Sequence, residues 1–226
     1  MKWIEEYLRQ NGFNYRYITV DDLVFSPFTR FKCMLCANYY STYACPPFTP
    51  TWKQTREILS RYERIMLVWK YFPLKKYIDN LVSKGYEYSP RVLLMAQTTC
   101  DYLAQGITKH LFKIRDWLES RGFECLVYVA GGGCRKCKRT RCNLWGELEV
   151  RDMGDKLEIV HIPKPCRFPR EREYALEGVG ISVYDTLRKL GIEFEEVPRT
   201  RTVAVGLIAW RIKQNKTIQL TNWLKY

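Results

Sequence analysis

Histidine is scarce in this sequence, which holds only His110 and His161, and a histidine-rich metal site is therefore excluded. Long apolar runs are also missing, because none approaches the roughly 20 residues that a membrane-spanning helix needs. The longest run, Val203 to Trp210, has the length of a buried strand. The N-terminal segment MKWIEEYLRQNGF carries a charge every few residues and lacks the apolar core of a signal peptide. We therefore expect a cytoplasmic protein without membrane association.

The common sequence motifs of enzymes are missing as well. The chain contains no HExxH motif, no serine elbow and no paired-carboxylate motif. The glycine run 131–133 is not a phosphate-binding loop, because no Gly-Lys-Ser/Thr follows it. No RNP strand or GXXG loop of an RNA-binding domain is recognisable either. An ordinary hydrolase or nucleotide-dependent enzyme therefore has no support in the sequence.

What the sequence does have is an excess of positive charge. Its 226 residues include 37 Lys and Arg against 24 Asp and Glu, a formal net charge of +13. A charge of that size favours an acidic partner, which is nucleic acid, an anionic protein surface or an anionic cofactor. Aromatic residues make up 15% of the chain, and we interpret them as parts of a large core rather than as a stacking surface.

Strand-like and helix-like segments alternate along the chain. This alternation favours a single compact α/β or α+β domain over residues 1–226, with a mixed sheet and flanking helices. Helices are predicted near 2–12, 51–64, 74–84, 90–122 and 182–190, with a helix or turn at 171–178. Strands are predicted near 15–20, 65–71, 124–130 and 203–212, with a hairpin within 147–162. The pattern at 90–122 is the strongest, because one apolar stripe at helical spacing joins Cys100, Leu103, Ile107, Leu111, Ile114 and Leu118.

Nine cysteines are the most unusual feature, and seven of them fall into two groups. In a reducing cytosol, clustered cysteines are metal ligands or catalytic thiols rather than disulfides. The first group lies in a loop at about 26–50 and comprises Cys33, Cys36 and Cys45. The second group lies in a loop at about 131–169 and comprises Cys134, Cys137, Cys142 and Cys166. Each group contains a C-x-x-C pair, which turns two sulfurs towards one metal centre without backbone strain.

The second group has the features of an iron–sulfur site. The glycines at 131–133 let the backbone approach a cluster closely, so that peptide N–H groups donate to its sulfides. Prolines at 165 and 169 flank the distant Cys166, as in ferredoxin-type sequences. The cations between Cys134 and Cys142 either belong to a solvated loop or balance the negative charge of a cubane with four thiolates. They are Arg135, Lys136, Lys138, Arg139 and Arg141. We expect one or two iron–sulfur clusters of the 4Fe-4S type, with zinc as the alternative.

The first group supplies three thiolates and no obvious fourth. Three protein ligands leave one coordination position for water, a substrate or another residue, which is the arrangement of a reactive site. The alternative is a fourth ligand from elsewhere in the fold. We expect this open site to be the functional one and the second group to support it.

The two remaining cysteines are predicted to be core residues. Cys100 lies on the apolar helical stripe, and Cys125 lies in a strand at the same parity as Val127 and Val129. His161, five residues before Cys166, is a further candidate ligand, although a structural strand histidine is the favoured interpretation.

Three stretches carry a resemblance to a known family: Cys33 through CPPFTP, the GGGC-R-K-C run, and CRFPREREYALEGVGISVYDTLRKLG. They resemble an uncharacterised family of predicted metal-binding proteins, a domain of unknown function that is common in anaerobic bacteria and archaea. The resemblance covers roughly residues 30–212 and implies that the seven grouped cysteines are the metal-binding positions. The family has a tighter C-x-x-C-x-x-C, whereas Thr140 stands at its third position here and the cysteine follows at Cys142. The resemblance implies no biochemical activity.

Metal binding leaves three functions open. The first is an iron–sulfur protein for electron transfer, or for reductive activation of an anaerobic partner enzyme, that docks an acidic redox partner. The second is a zinc-dependent nucleic-acid-binding protein, which the charge and the aromatic residues support although no RNA-binding motif is recognisable. The third is an enzyme that uses an open metal position at Cys33, Cys36 and Cys45. We favour the first, with the positive charge concentrated around residues 135–141.

Overall fold

The structure, a computed structural model, describes residues 1–36, 39–130, 134, 136–137, 142–145, 147–154 and 156–213. Within these residues the strands are β1 (Asn14–Ile18), β2 (Arg64–Pro73), β3 (Phe123–Val129), β4 (Glu147–Asp152), β5 (Leu157–Ile162), β6 (Tyr174–Ala175) and β7 (Arg201–Ile212). Five of them form one mixed sheet in the order β1-β2-β7-β3-β6, in which only the β3–β6 pair is parallel. β4 and β5 form the predicted antiparallel hairpin as a separate sheet.

Helices cover both faces of the five-stranded sheet. They are α1 (Lys2–Gln10), α2 (Pro27–Lys32), α3 (Trp52–Ser60), α4 (Leu74–Ser83), α5 (Pro90–Ala104), α6 (Ile107–Glu119) and α7 (Val183–Lys189). Successive side chains of a strand point to opposite faces. Leu67 of β2 accordingly packs in the core with α3 and α7, and its neighbour Met66 packs in the core with α1 and α6. The predicted α+β domain with a mixed sheet is confirmed.

β7 is the central strand, and its position explains the longest apolar run. It pairs with β2 along one edge and with β3 along the other. Because both of its faces are covered, both sets of alternating side chains are apolar. Leu207 and Ile208 are each fully buried, in opposite cores. The buried strand predicted at 203–212 is confirmed.

The prediction of a single long helix over 90–122 is wrong, because the helix is interrupted between α5 and α6. The apolar stripe runs across the break, but its two halves serve different cores. Cys100 packs with α4 in a small core, whereas Leu111 packs on the sheet with α1. Leu103 of the stripe is 38% exposed. Gly106 lies at the break, where a Cβ atom would meet the carbonyl oxygen of Leu103 at 3.0 Å, so a residue without a side chain suits the turn.

Two irregular segments are more ordered than the sequence predicted. The loop predicted at 26–50 begins with α2, whose N-terminus is capped by Ser26: its Oγ accepts the N–H of Phe28 at 3.2 Å. The segment 171–178, predicted as a helix or turn, has a short 3-10 turn at each end, and the strand β6 between these turns was not predicted. Of the helices in the described part of the chain, none has the length and apolar character of a membrane span.

Candidate metal centre

The three cysteines of the first group lie around one cavity, here called the first thiol cavity. It has a volume of about 260 Å³ and is lined by Thr29, Lys32, Cys33, Cys36, Tyr39, Ala44, Cys45, Pro46, Ala175, Glu177 and Gly178. Cys33 begins a 3-10 turn that follows α2 directly, and the N–H of Cys36 donates to the carbonyl oxygen of Cys33 at 3.1 Å. Cys45 is buried, Cys33 is half-buried and Cys36 is exposed, so the cavity opens to solvent on the Cys36 side.

A carboxylate that the sequence analysis missed lies in the same cavity. Glu177 lines it beside Cys33, although the two residues are far apart in the chain. The pKa of the Cys33 thiol is raised to about 11, first by burial and then by the nearby Glu177 carboxylate and the Cys36 and Cys45 thiols. Glu177 therefore offers an oxygen donor beside three sulfur donors. The only signal for it in the sequence is its place within the EGVGISV stretch.

Short-range contacts fix the segment that carries Cys45. The Thr42 hydroxyl donates to the Cys45 sulfur at 3.5 Å. The buried Thr49 hydroxyl donates to the carbonyl oxygen of Gly178 at 2.6 Å, which ties this segment to the turn that carries Glu177. Arg30 of α2 donates to the carbonyl oxygens of Pro47 and Thr49, each at 3.1 Å. Three parts of the chain therefore hold the first thiol cavity together.

Gly180 allows the turn after β6 to lie close to α3. Its φ is +85°, and a Cβ atom there would lie 2.5 Å from Cβ of Trp52. Its carbonyl oxygen accepts the N–H of Ser26 at 2.9 Å, so the same turn also anchors the start of α2. Only glycine satisfies both the left-handed backbone and this approach.

The four cysteines of the second group also lie around one cavity, the second thiol cavity. It has a volume of about 20 Å³ and is lined by Tyr43, Ala44, Cys134, Lys136, Cys137, Cys142, Cys166, Phe168 and Arg172. That volume has room for about one water-sized sphere. Asn143 links the residues after Cys142 to those before Cys166. Its backbone carbonyl oxygen accepts the N–H of Lys164 at 2.9 Å, and its side-chain amide donates to the carbonyl oxygen of Pro165 at 2.8 Å. Cys134, Cys137, Cys142 and Cys166 are thus brought to one cavity although 32 residues separate the first from the last.

Donors and cations surround the second thiol cavity. Burial raises the pKa of the Cys134 thiol, while hydrogen bonds from the backbone N–H groups of Glu173 and Lys136 act in the opposite direction. Lys136 also forms an ion pair with Glu171. Arg172 lies 5.6 Å from the ring centroid of Tyr174, and its Nε is buried without a hydrogen-bond partner among the described residues. These groups place donors and positive charge where thiolates would carry negative charge.

The two thiol cavities are neighbours, and the chain passes from the second to the first through β6. Cys166 and Arg172, which precede β6, line the second cavity, and Glu177 and Gly178, which follow it, line the first. Ala44 lines both. β6 is held by parallel pairing with the end of β3, so the two cavities lie at the edge of the sheet.

Cys100 and Cys125 line neither thiol cavity. Cys100 is fully buried between α4 and α5, as predicted. Cys125 is half-buried against the core beneath α6 and lines a separate cavity of about 520 Å³. Nδ1 of His110 lies 2.8 Å from the Tyr7 hydroxyl oxygen, at hydrogen-bond distance. His161 lies in strand β5, as predicted.

Part of the predicted second loop lies outside the described residues. This applies to the glycines at 131–133, to Thr140 and to four of the five predicted cations, namely Arg135, Lys138, Arg139 and Arg141. Among the residues that are described, no group of three or more Cys, His, Asp or Glu side chains already has an arrangement that would hold a metal ion. The thiols line the cavities without forming a closed ligand set.

The chemistry of the donors fits a cysteine-ligated metal. Four thiols surround the second cavity, and three thiols with one carboxylate surround the first. Thiolate sulfur selects zinc, copper(I) or iron–sulfur clusters over magnesium and calcium. Four sulfur ligands suit a tetrahedral zinc ion or one iron–sulfur cluster, and a set of three sulfurs leaves a position for another ligand.

The fold and the two groups of thiols define a cysteine-rich α+β protein with the donors of a metal-binding protein. Residues 16–209 match the model of a family described as "Predicted metal-binding protein (DUF2284)", and the chain belongs to this family. This confirms the resemblance drawn from the cysteine and CRFP motifs, and supports metal binding without naming a metal. No curated protein and no solved structure matches the chain.

Proposed function

We propose that this metal-binding protein is an iron–sulfur protein that transfers electrons, with an accessible centre in the first thiol cavity and a supporting centre in the second. The observation that carries the proposal is the distribution of the nine cysteines in the fold. Seven of them line two adjacent cavities that share Ala44, and the other two pack elsewhere. Cysteines that only filled the core would have no reason to gather at one edge of the sheet.

The two cavities suit different roles. Cys134, Cys137, Cys142 and Cys166 are four thiols, the number that a stable centre without an open position needs. Cys33, Cys36 and Cys45 provide three, in a larger cavity that Glu177 also lines. Glu177 is the candidate fourth ligand, or it stands beside a position that a small ligand fills. When bound, an iron–sulfur cluster supplies one-electron transfer.

Zinc is the alternative at the second thiol cavity. Four thiolates are also the ligand set of a structural zinc ion, and the cavity has room for about one water-sized sphere, closer to a single ion than to a cluster. An iron–sulfur cluster at this place requires the surrounding segment to open.

The test is the metal content of protein purified without oxygen. We expect brown protein with broad visible absorption that dithionite bleaches, and iron and acid-labile sulfide in equal amounts. Colourless protein with zinc and no sulfide would overturn the iron–sulfur assignment at both cavities. Iron with sulfide plus one zinc per chain would place zinc at the second cavity and leave the accessible centre as proposed.

A further inference from the structure

A patch of exposed apolar side chains lies beside the first thiol cavity. Phe28 is 73% exposed, Phe31 62%, Met34 54% and Leu35 84%. Single exposed apolar residues are ordinary, but four within eight residues of α2 and the 3-10 turn after it form a local cluster. Such clusters on a folded protein mark interaction sites. We call these four residues the α2 patch.

The α2 patch lies between the first thiol cavity and a second depression. That depression has a volume of about 430 Å³ and is lined by Pro27, Arg30, Phe31, Met34, Tyr39, Pro46, Pro47, Thr51, Trp52 and Lys53. On the other side of α2, Cys33 and Cys36 line the first thiol cavity. A partner seated on the α2 patch would therefore cover the opening beside the exposed Cys36.

Cations outnumber carboxylates around the α2 patch, where Glu177 of the first thiol cavity is the acidic residue that lines either depression. The sequence has no Asp or Glu between Asp22 and Glu57, a stretch that contains Arg30, Lys32, Lys53 and Arg56. Arg56 is paired with Asp21 at 2.8 Å. The other three cations line the two depressions beside α2. An apolar centre with a cationic rim is complementary to a protein surface with an apolar centre and an acidic rim.

We propose that the α2 patch is the docking surface for an acidic electron-transfer protein of the ferredoxin type, an inference that rests on the proposed electron-transfer function. Docking there places the partner over the first thiol cavity, so that one electron leaves the reduced partner and one enters the centre held by Cys33, Cys36 and Cys45. A protein partner is favoured over a lipid surface because membrane binding strengthens with the apolar area that a helix buries, and the six residues of α2 offer little such area.

The test measures binding to a strongly acidic bacterial ferredoxin by fluorescence anisotropy, at low and at high salt. A variant carrying Phe31→Ser and Leu35→Ser removes two side chains of the α2 patch. A matched control carries Leu94→Ser and Tyr102→Ser on α5, where the two side chains are 62% and 74% exposed. We expect high salt and the α2 variant each to weaken binding about tenfold or more, while the α5 variant binds as the wild type does.

A second readout separates this inference from the function on which it rests. Dithionite, a small reductant, should bleach the wild type and both variants equally, whereas reduced ferredoxin should bleach the α2 variant about tenfold more slowly. Equal ferredoxin binding by the α2 and α5 variants, or no binding by the wild type, would overturn the proposed docking surface. The electron-transfer function would still stand if dithionite bleaches the protein. Protein that contains no iron and does not respond to dithionite overturns the function itself.

Two other occupants of the α2 patch give distinct results. Vesicles of phosphatidylcholine and phosphatidylglycerol that bind the wild type but not the α2 variant would identify a membrane surface and overturn the proposal. A concentration-dependent dimer in sedimentation that the α2 variant abolishes would identify a second copy of this chain, with the same consequence.

Discussion

The hydroxyl group of Tyr43 donates a 2.8 Å hydrogen bond to the backbone carbonyl oxygen of Lys164, 121 residues further along the chain. Tyr43 belongs to the first cysteine segment and Lys164 to the second. Tyr43 also lines the second thiol cavity, and its neighbour Ala44 lines both. The two cysteine segments are therefore joined directly and not only through the sheet.

Removing this link should loosen the second segment. Tyr43→Phe keeps the ring, which packs against Phe48 at 5.4 Å, and deletes only the hydroxyl. We expect it to cost about 1 kcal/mol of unfolding free energy and to lower Tm by about 2–4 °C. Tyr40→Phe is the control, because the Tyr40 ring packs against the same Phe48 at 5.1 Å. Equal Tm values for Tyr43→Phe and the wild type by calorimetry would show that the link contributes nothing.

The two thiol cavities should lose metal independently. Cys45→Ser removes a donor from the first cavity, so we expect it to lower the metal content in part and to leave the unfolding temperature nearly unchanged. Cys137→Ser breaks the four-thiol set, so we expect it to lower metal content and stability together. Metal and sulfide analysis with calorimetry measures both effects. If both variants lose all metal to the same extent, the seven cysteines share one site and the two-centre arrangement is wrong.

Glu177 should matter for the first cavity alone. Glu177→Gln removes the charged oxygen donor beside Cys33 and keeps the side-chain size, so we expect weaker metal retention when a chelator competes for the first site. Glu171→Gln is the control, because Glu171 pairs with Lys136 beside the second cavity. Chelator titrations that follow metal release measure the difference. Identical release curves for Glu177→Gln and the wild type would remove Glu177 from the ligand set.

The sequence predicted the parts of this fold that depend on local pattern. The central strand β7 could be predicted because both of its faces are buried, which gives the sequence an unbroken apolar run. The two cysteine groups are visible because C-x-x-C spacing is itself local. The break at Gly106 was missed because the apolar stripe continues across it, and the pattern does not show that its halves face different cores.

Other parts of the site depend on contacts that no local pattern encodes. β6 has only two residues and therefore no periodicity, yet the residues before and after it line different thiol cavities. The approach of Glu177 to Cys33 and the bond from Tyr43 to Lys164 are tertiary contacts between distant segments. α2 did have a local signal, the Ser-Pro start of a capped helix, which the neighbouring cysteines and prolines obscured.

Gly180 should be far less tolerant of a side chain than another left-handed glycine. Gly180 and Gly191 both have positive φ, +85° and +64°, but only at Gly180 would a Cβ atom meet Trp52 at 2.5 Å, whereas nothing lies within 4 Å at Gly191. Gly191→Ala should cost about 1–2 kcal/mol for the backbone conformation alone. Gly180→Ala adds the steric overlap with Trp52 and should therefore lower the unfolding free energy by about 3 kcal/mol or more. Urea unfolding measures both, and equal costs would show that the turn shifts away from Trp52 freely.

Glu195 should make part of the stability depend on pH. The pKa of its carboxyl group is lowered from 4.5 to about 2, first by the Thr200 hydroxyl and then by the backbone N–H groups of Arg199, Thr200 and Arg201, which donate to it. Because the folded pKa lies below the unfolded one, the unfolded chain binds the proton more readily, and the contribution is complete above about pH 5 and lost as the pH falls towards 2. We expect this contribution to be about 1 kcal/mol at neutral pH, since the carboxyl group is partly exposed and screened by solvent.

Glu195→Gln should therefore flatten the fall of the unfolding free energy between about pH 5 and 3. Thr200→Val, which removes only the hydroxyl donor, should give an intermediate slope. Urea titration at each pH measures both. Parallel curves for Glu195→Gln and the wild type over this range would show that Glu195 keeps an ordinary pKa in the folded protein.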